Sequence, residues 1–229
     1  MPSANTKRIE ESATTALKAA LLRCPILDSY IDSNDKTPSW DGTVFVYKSE
    51  KTKKENLAGR VPIQIKGTEK VIVSDTATFS CSVADLNNYY KDGGCVFFLI
   101  GVDLSSGNSR IFYKTLLVVD LNKIIKGAGK QKTSTIHLNL FPTEANEISS
   151  IFMEFTDNVH KQMGFIGKDI PTFESLEANG AESKELYRSG AIQPENRVPQ
   201  YGTGSVLWCV QNCQSCDLDL DKEAIRRYV

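Results

Sequence analysis

Residues 39–47 read Ser-Trp-Asp-Gly-Thr-Val-Phe-Val-Tyr, and residues 60–66 read Arg-Val-Pro-Ile-Gln-Ile-Lys. The runs Thr43–Tyr47 and Arg60–Lys66 are short, apolar and rich in β-branched residues, which predicts two strands. Ser49–Gly59 between them is charged and loop-like, so the pair reads as a hairpin with a long tip. Along the second strand Val61, Ile63 and Ile65 take one face, and Pro62, Gln64 and Lys66 the other, because strand side chains alternate. Gln64 follows Asp41 by 23 residues, and Asp41 immediately precedes the first strand.

A carboxylate at a strand start, with an amide and an ammonium on the neighbouring strand, makes a compact polar site. The oxygens of Asp41 and Gln64 suit a hard divalent cation such as Mg²⁺ or Mn²⁺. Lys66 can orient or deprotonate an attacking water, or offset charge that builds on a phosphate. Plain alternation on a half-buried strand would also produce the Gln64/Lys66 face. The placement of Asp41 is what sets the group apart from that simpler reading.

Outward from the hairpin, residues 7–22 predict a helix with Ile9, Ala13, Ala16, Leu17, Ala20 and Leu21 in one stripe, Asn5 or Thr6 as cap and Pro25 beyond its end. Ile26–Ile31 predicts a first strand, and Val71–Val73 a further piece of sheet. Ser82–Lys91 predicts a short helix stopped by Asp92-Gly93-Gly94. Cys95–Val102 is almost wholly apolar, as in a strand buried on both faces. Arg110–Val119 predicts its hairpin partner, Asp120–Ile125 a short helix or turn, and Thr135–Leu140 an edge strand. The class expected is α/β.

The order helix, strand, strand, strand, helix, strand over residues 7–102, with Asp41 and Gln64-Ile65-Lys66 in place, resembles the PD-(D/E)XK or restriction-endonuclease-like superfamily. Its αβββαβ core has a mixed central sheet. Gln-x-Lys as third element is similar to the variant in Mrr-like and phage-defence nucleases. Ser39-Trp40-Asp41 stands where the family carries Pro-Asp, with Pro38 nearby. The resemblance implies a Mg²⁺- or Mn²⁺-dependent endonuclease acting on DNA, cytoplasmic, in prokaryotic antiviral defence, with a homo-oligomeric or defence-system partner. It implies Asp41 and Gln64 as metal ligands and Lys66 as catalytic lysine. Helix one of the family often carries an apolar-Glu-x-x-apolar pattern whose Glu reaches the metal. Ile9-Glu10, with Ala13 following, matches it, whereas Glu11 does not. A glutamate in the first turn of a helix is equally what the helix dipole favours. Because Gln64 replaces an acid, the alternative is an inactive nuclease-fold module that binds nucleic acid or a defence partner.

The remainder bounds this reading. A net charge of −1 gives no bulk basic signature, so any nucleic-acid surface is local, at Lys48, Lys51, Lys53 and Lys54 or at Lys123, Lys126, Lys130 and Lys132. Such runs are also ordinary solvated loops. No apolar run reaches the roughly 18 residues of a membrane span, and no signal peptide is apparent. Residues 1–141 are expected to form the nuclease domain, and 142–229 a helical and loop-rich extension that includes a long helix, Thr143–Met163. The chain stops without a polar tail, as a module of a longer protein would. Gly127–Lys132 lacks the ending of a phosphate-binding P-loop. Cys209, Cys213 and Cys216 have the spacing of a zinc or iron–sulfur ligand set but lack a fourth ligand nearby, which favours chance clustering. His137 and His160 stand in no ligand or triad spacing.

Overall fold

The computed structural model describes residues 4–31, 39–69 and 72–168. Over these residues it is an α/β structure with four helices and one mixed sheet of seven strands. The hairpin read from the sequence is present: β2 (Gly42–Tyr47) pairs antiparallel with β3 (Leu57–Thr68), and a short 3-10 turn at Lys54–Asn56 closes the tip. The strand β1 (Leu27–Ile31) adds to the outer side of β2. Beyond β3 the chain forms β4 (Thr76–Ser82), helix α2 (Val83–Lys91) and then β5 (Gly94–Val102), which lies parallel to β3. β6 (Ser109–Leu117) returns antiparallel to β5, and α3 (Val118–Ala128) leads to β7 (Thr133–Leu140). The strand order is β1-β2-β3-β5-β6-β7-β4.

β5 is the spine, and its apolar run explains why. Every residue of it is buried. Val96, Phe98, Ile100 and Val102 enter one core; Cys95, Phe97 and Leu99 enter another on the opposite face. Burying one such Phe contributes about 1.5–3 kcal/mol. The first core is roofed by α1 (Ala4–Leu21), through Ala13, Leu17 and Leu21, and by α4 (Ala145–Met163), through Ile148, Phe152 and Phe155. The second is covered by α2 and α3, through Leu86, Tyr89 and Leu121. Because α4 packs into the same core as α1, the compact unit continues past the residue-142 boundary expected from composition and extends to Ile166.

Other elements differ from expectation for local reasons. Ile72 and Val73 are not in a strand, and Val71 lies outside the described residues. The strand that follows β3 is instead β4, whose Thr76-Ala-Thr-Phe-Ser-Cys-Ser82 alternates but has a polar half that resembles loop composition. β4 pairs with β7 from Thr133 to Asn139, while Asn139 and Leu140 pair with β6, so β7 is internal and β4 is the edge. The strand expected through Val119 ends at Leu117, and α3 begins there. Helix α1 starts at Ala4, so neither Asn5 nor Thr6 caps it, and Glu10 and Glu11 lie in its second turn, away from the dipole's positive end. Residues 169–229 of the expected extension lie outside the described residues, and with them Cys209, Cys213 and Cys216.

Gly42 opens β2 where β1 crosses closest. A Cβ there would sit 2.5 Å from the Tyr30 carbonyl oxygen and 2.9 Å from the Ile31 Cα, both main-chain atoms with little freedom to retreat. Gly42→Ala is expected to cost about 1–3 kcal/mol through overpacking, seen as a lower midpoint in urea denaturation; an unchanged midpoint would contradict this packing.

Candidate functional site

The turn before β2 is held by helix α2. Ser39 has a left-handed backbone, with φ 73°. Its hydroxyl donates to Asp85 Oδ1 at 2.9 Å and accepts from Asn88 Nδ2 at 2.8 Å. Asp85 in turn takes the Ser82 hydroxyl at 2.7 Å, while its own N–H donates to Ser82 Oγ at 3.0 Å, so Ser82 caps α2. Trp40 packs edge-on to Tyr89, with centroids 6.1 Å apart. Its indole Nε1 is buried and has no hydrogen-bond partner among the described residues.

Asp41 therefore arrives at the edge of β3 in a defined position. Its N–H donates to the Ile63 carbonyl at 3.0 Å, the last main-chain rung between the two segments. β3 runs on to Thr68, whereas the pairing with β2 begins at Gly42–Ile63. The next edge donor, the Ile65 N–H, is taken by Asp41 Oδ2 at 2.7 Å. Gln64 Nε2 donates to the same carboxylate oxygen and also to the Ile65 carbonyl at 3.2 Å. Gln64 is buried, and its Oε1 accepts from the Tyr89 hydroxyl at 3.4 Å.

Asp41 and Gln64 are thus brought into direct contact. Lys66 lies two residues further along the same face of β3, exposed. Its charge reaches Cys81 beneath α2, where it partly opposes an upward shift. Burial and the Asp85 carboxylate push that thiol up to about 11. Burial, reinforced by Cys95, Cys81, Asp85 and Asp41, drives the Tyr89 hydroxyl far above its usual range. Tyr89 is therefore a neutral donor to Gln64 at any ordinary pH. Glu10 is placed differently: it is exposed on α1, whose Ile9 and Ala13 press on Gly67, on the opposite face of β3 from Gln64 and Lys66. Among the described residues no three His, Cys, Asp or Glu side chains are grouped as a metal would require.

The donor set near Asp41 suits a hard cation in a different way from the expected one. Gln64 Nε2 occupies the point between two oxygens, Asp41 Oδ2 and Ile65 O. Turning the amide about its last bond would put Oε1 there and Nε2 at Tyr89, giving three oxygen donors of the kind Mg²⁺ takes. Ser39, Asp85, Asn88 and Tyr89 were not singled out from the sequence. Ser82-x-x-Asp85 ahead of an apolar run is a capping signature and was the available signal for Asp85; nothing in the sequence indicated that Ser39 would meet it. No helix of the described residues is long and apolar enough to cross a membrane. Comparison with family models, curated proteins and solved structures finds no match.

Cys24, Cys81 and Cys95 are buried free thiols, each with its pKa raised chiefly by burial. A raised thiol pKa means the unreactive protonated form persists to higher pH; at pH 8 about one Cys81 in a thousand is thiolate. Alkylation at pH 8 mapped by mass spectrometry should leave these three unlabelled until the chain is denatured; labelling of Cys81 at the rate of an unfolded peptide would contradict its placement.

Proposed function

We propose that the chain is a metal-dependent nuclease of the PD-(D/E)XK kind that hydrolyses phosphodiester bonds in DNA. The observation that carries this reading is the meeting of the Asp41 carboxylate, the Ile65 carbonyl and the Gln64 amide where β2 leaves the edge of β3. Lys66 follows on the same face. The helix–three-strand–helix–strand order supports it as well, with β5 parallel to β3, although β4 is inserted ahead of α2.

Asp41 and the Ile65 carbonyl would hold Mg²⁺ or Mn²⁺, with Gln64 turned to present Oε1. An ion held there would supply Lewis-acid chemistry, polarising the scissile phosphate and lowering the pKa of a bound water. Lys66 positions the attacking water and stabilises the charge that grows on the phosphate oxygens. Tyr89 holds Gln64: as a hydroxyl it can donate to Oε1 in one orientation and accept from Nε2 in the other. Glu10, on the helix over the other face, is given no ligand role in this reading. By the resemblance, the setting is defence against foreign DNA in a prokaryotic cytoplasm.

One observation favours the second reading, a non-catalytic nucleic-acid-binding module. The Asp41 carboxylate already receives hydrogen bonds from Gln64 and from the Ile65 N–H, and it supplies the only carboxylate of the three-oxygen set described. In that reading the Gln64 amide permanently takes the cation's place.

End-labelled DNA incubated with Mg²⁺ or Mn²⁺ separates the two. Cleavage is expected, falling at least about a hundredfold in Lys66→Ala and in Asp41→Asn. Asp41→Asn retains an oxygen acceptor for the Ile65 N–H, so its fold should persist and its loss of activity can be ascribed to the missing charge. Cleavage equal to that of the unmodified chain in either variant would reject the assignment.

A further inference from the structure

The candidate site adjoins a surface that it does not use. On β3 the residues that share a face with Gln64 and Lys66 are Pro62 and Arg60. Arg60 pairs across the ladder with Phe45, and Pro62 with Thr43. Phe45 pairs in turn with Asp28, and Thr43 with Tyr30. These rows lie on the face away from the α1/α4 core, into which Val44, Val46, Val61 and Ile63 point. The helices of this second side, α2 and α3, pack on β4 to β7. Tyr30 is accordingly 62% exposed, a large value for an aromatic ring in a strand.

Tyr30 is exposed but held. Its ring meets Phe45 at 5.4 Å and 90°, an edge-to-face contact that fixes the ring plane. Asp28 stands two residues before it on the same face of β1. An aromatic ring held in place and turned to solvent costs little further entropy when a flat partner lands on it. Along β2 the surface ends at the hairpin tip, where Lys48, Lys51 and Lys54 are exposed and Lys53 pairs with Glu55 at 4.0 Å. From Lys48 back to Asp41 is seven residues, about 23 Å of strand. The basic tip, the rows that hold Phe45 and Tyr30, and the polar site lie in sequence along the three strands β1–β2–β3.

We propose that this face of β1–β2–β3 is a stacking platform for single-stranded DNA, with one base on Tyr30 and the phosphate backbone led between the lysines of the hairpin tip and the Asp41–Gln64–Lys66 site. The inference rests on the reading of the chain as a nucleic-acid enzyme and names its substrate as a single strand. An unpaired strand exposes base faces to an aromatic ring; a closed duplex offers them only at its ends. Pro62 at the centre of the face is buried and Phe45 half-buried, so the groups it offers are the exposed Tyr30 ring and the exposed lysines of the tip, which match both halves of that ligand, its flat bases and its charge.

The test uses the full chain in a Lys66→Ala background, so that binding is read without cleavage. Fluorescence anisotropy is followed with a labelled oligothymidylate of about twelve nucleotides and with a duplex of equal length. The single strand should bind in preference to the duplex, and Tyr30→Ala should weaken it about tenfold. Tyr30→Phe, which retains the ring, should stay within about twofold. Unaltered binding by Tyr30→Ala, an equal loss in Tyr30→Phe, or equal affinity for duplex would each overturn the platform. Cleavage by the unmodified chain, measured alongside, keeps the outcomes separate. Metal-dependent cleavage with Tyr30-independent binding removes the platform alone. Tyr30-dependent binding without cleavage removes the nuclease alone.

Discussion

The carboxylate of Asp41 stands in for a missing strand. β2 stops pairing at Gly42, yet β3 continues toward Thr68, and the Ile65 N–H would otherwise be left at a bare edge. Asp41 Oδ2 takes that proton at 2.7 Å. A buried donor left without a partner costs about 1–3 kcal/mol, so the bond has a structural value whatever else the residue does. The same oxygen then receives the Gln64 amide, which brings the side chains of the turn and of β3 to one point. Gly42 makes this possible, since only a residue without Cβ lets β1 pass so near the end of β2. Ser39, bound to Asp85 and Asn88 of α2, sets the approach of the turn. Sheet, turn and helix all converge on the placement of one carboxylate.

The two faces of the sheet are treated unequally, and the candidate site lies at the transition. One face is sealed by α1 and α4 over an aliphatic and aromatic core. On the other, α2 and α3 cover the strands from β5 outward, and Gln64 sits beside the last covered column, with Phe97 of β5 as its ladder neighbour. Tyr89 reaches it from α2. Gln64 is thereby buried while Lys66, one pleat further, is exposed. A buried amide against a carboxylate and an exposed ammonium beside them is an arrangement in which a cation and a phosphate can be held on one side and reached from solvent on the other.

Much of this was legible in the chain, for definite reasons. The apolar run Cys95–Val102 suits a strand buried on both faces, and it forms the spine. The alternation from Val61 to Lys66 placed Gln64 and Lys66 on one face, as found. What escaped was contact between distant elements. Asp85 bonds Ser39 across 46 residues, and no local pattern encodes that meeting. β4 was missed because Thr76, Thr78, Ser80 and Ser82 form the outward half of an edge strand and resemble a loop in composition. Glu10 fitted a helical pattern, but the helix carrying it lies over the other face of β3 at Gly67. A one-dimensional pattern gives the side of a helix that is buried, not the side of the sheet that the helix will cover.

The proposed nuclease requires Asp41, the Ile65 carbonyl and Gln64 to hold a cation between them. Titration of the ¹⁵N-labelled chain with substoichiometric Mn²⁺, followed by amide NMR, examines it directly, because the paramagnetic ion broadens only the signals near its seat. Cation binding at this point predicts selective broadening of the Asp41, Gln64 and Ile65 amides, lost in Asp41→Asn and competed away by Mg²⁺. Broadening centred elsewhere, or none at these three residues, would contradict it.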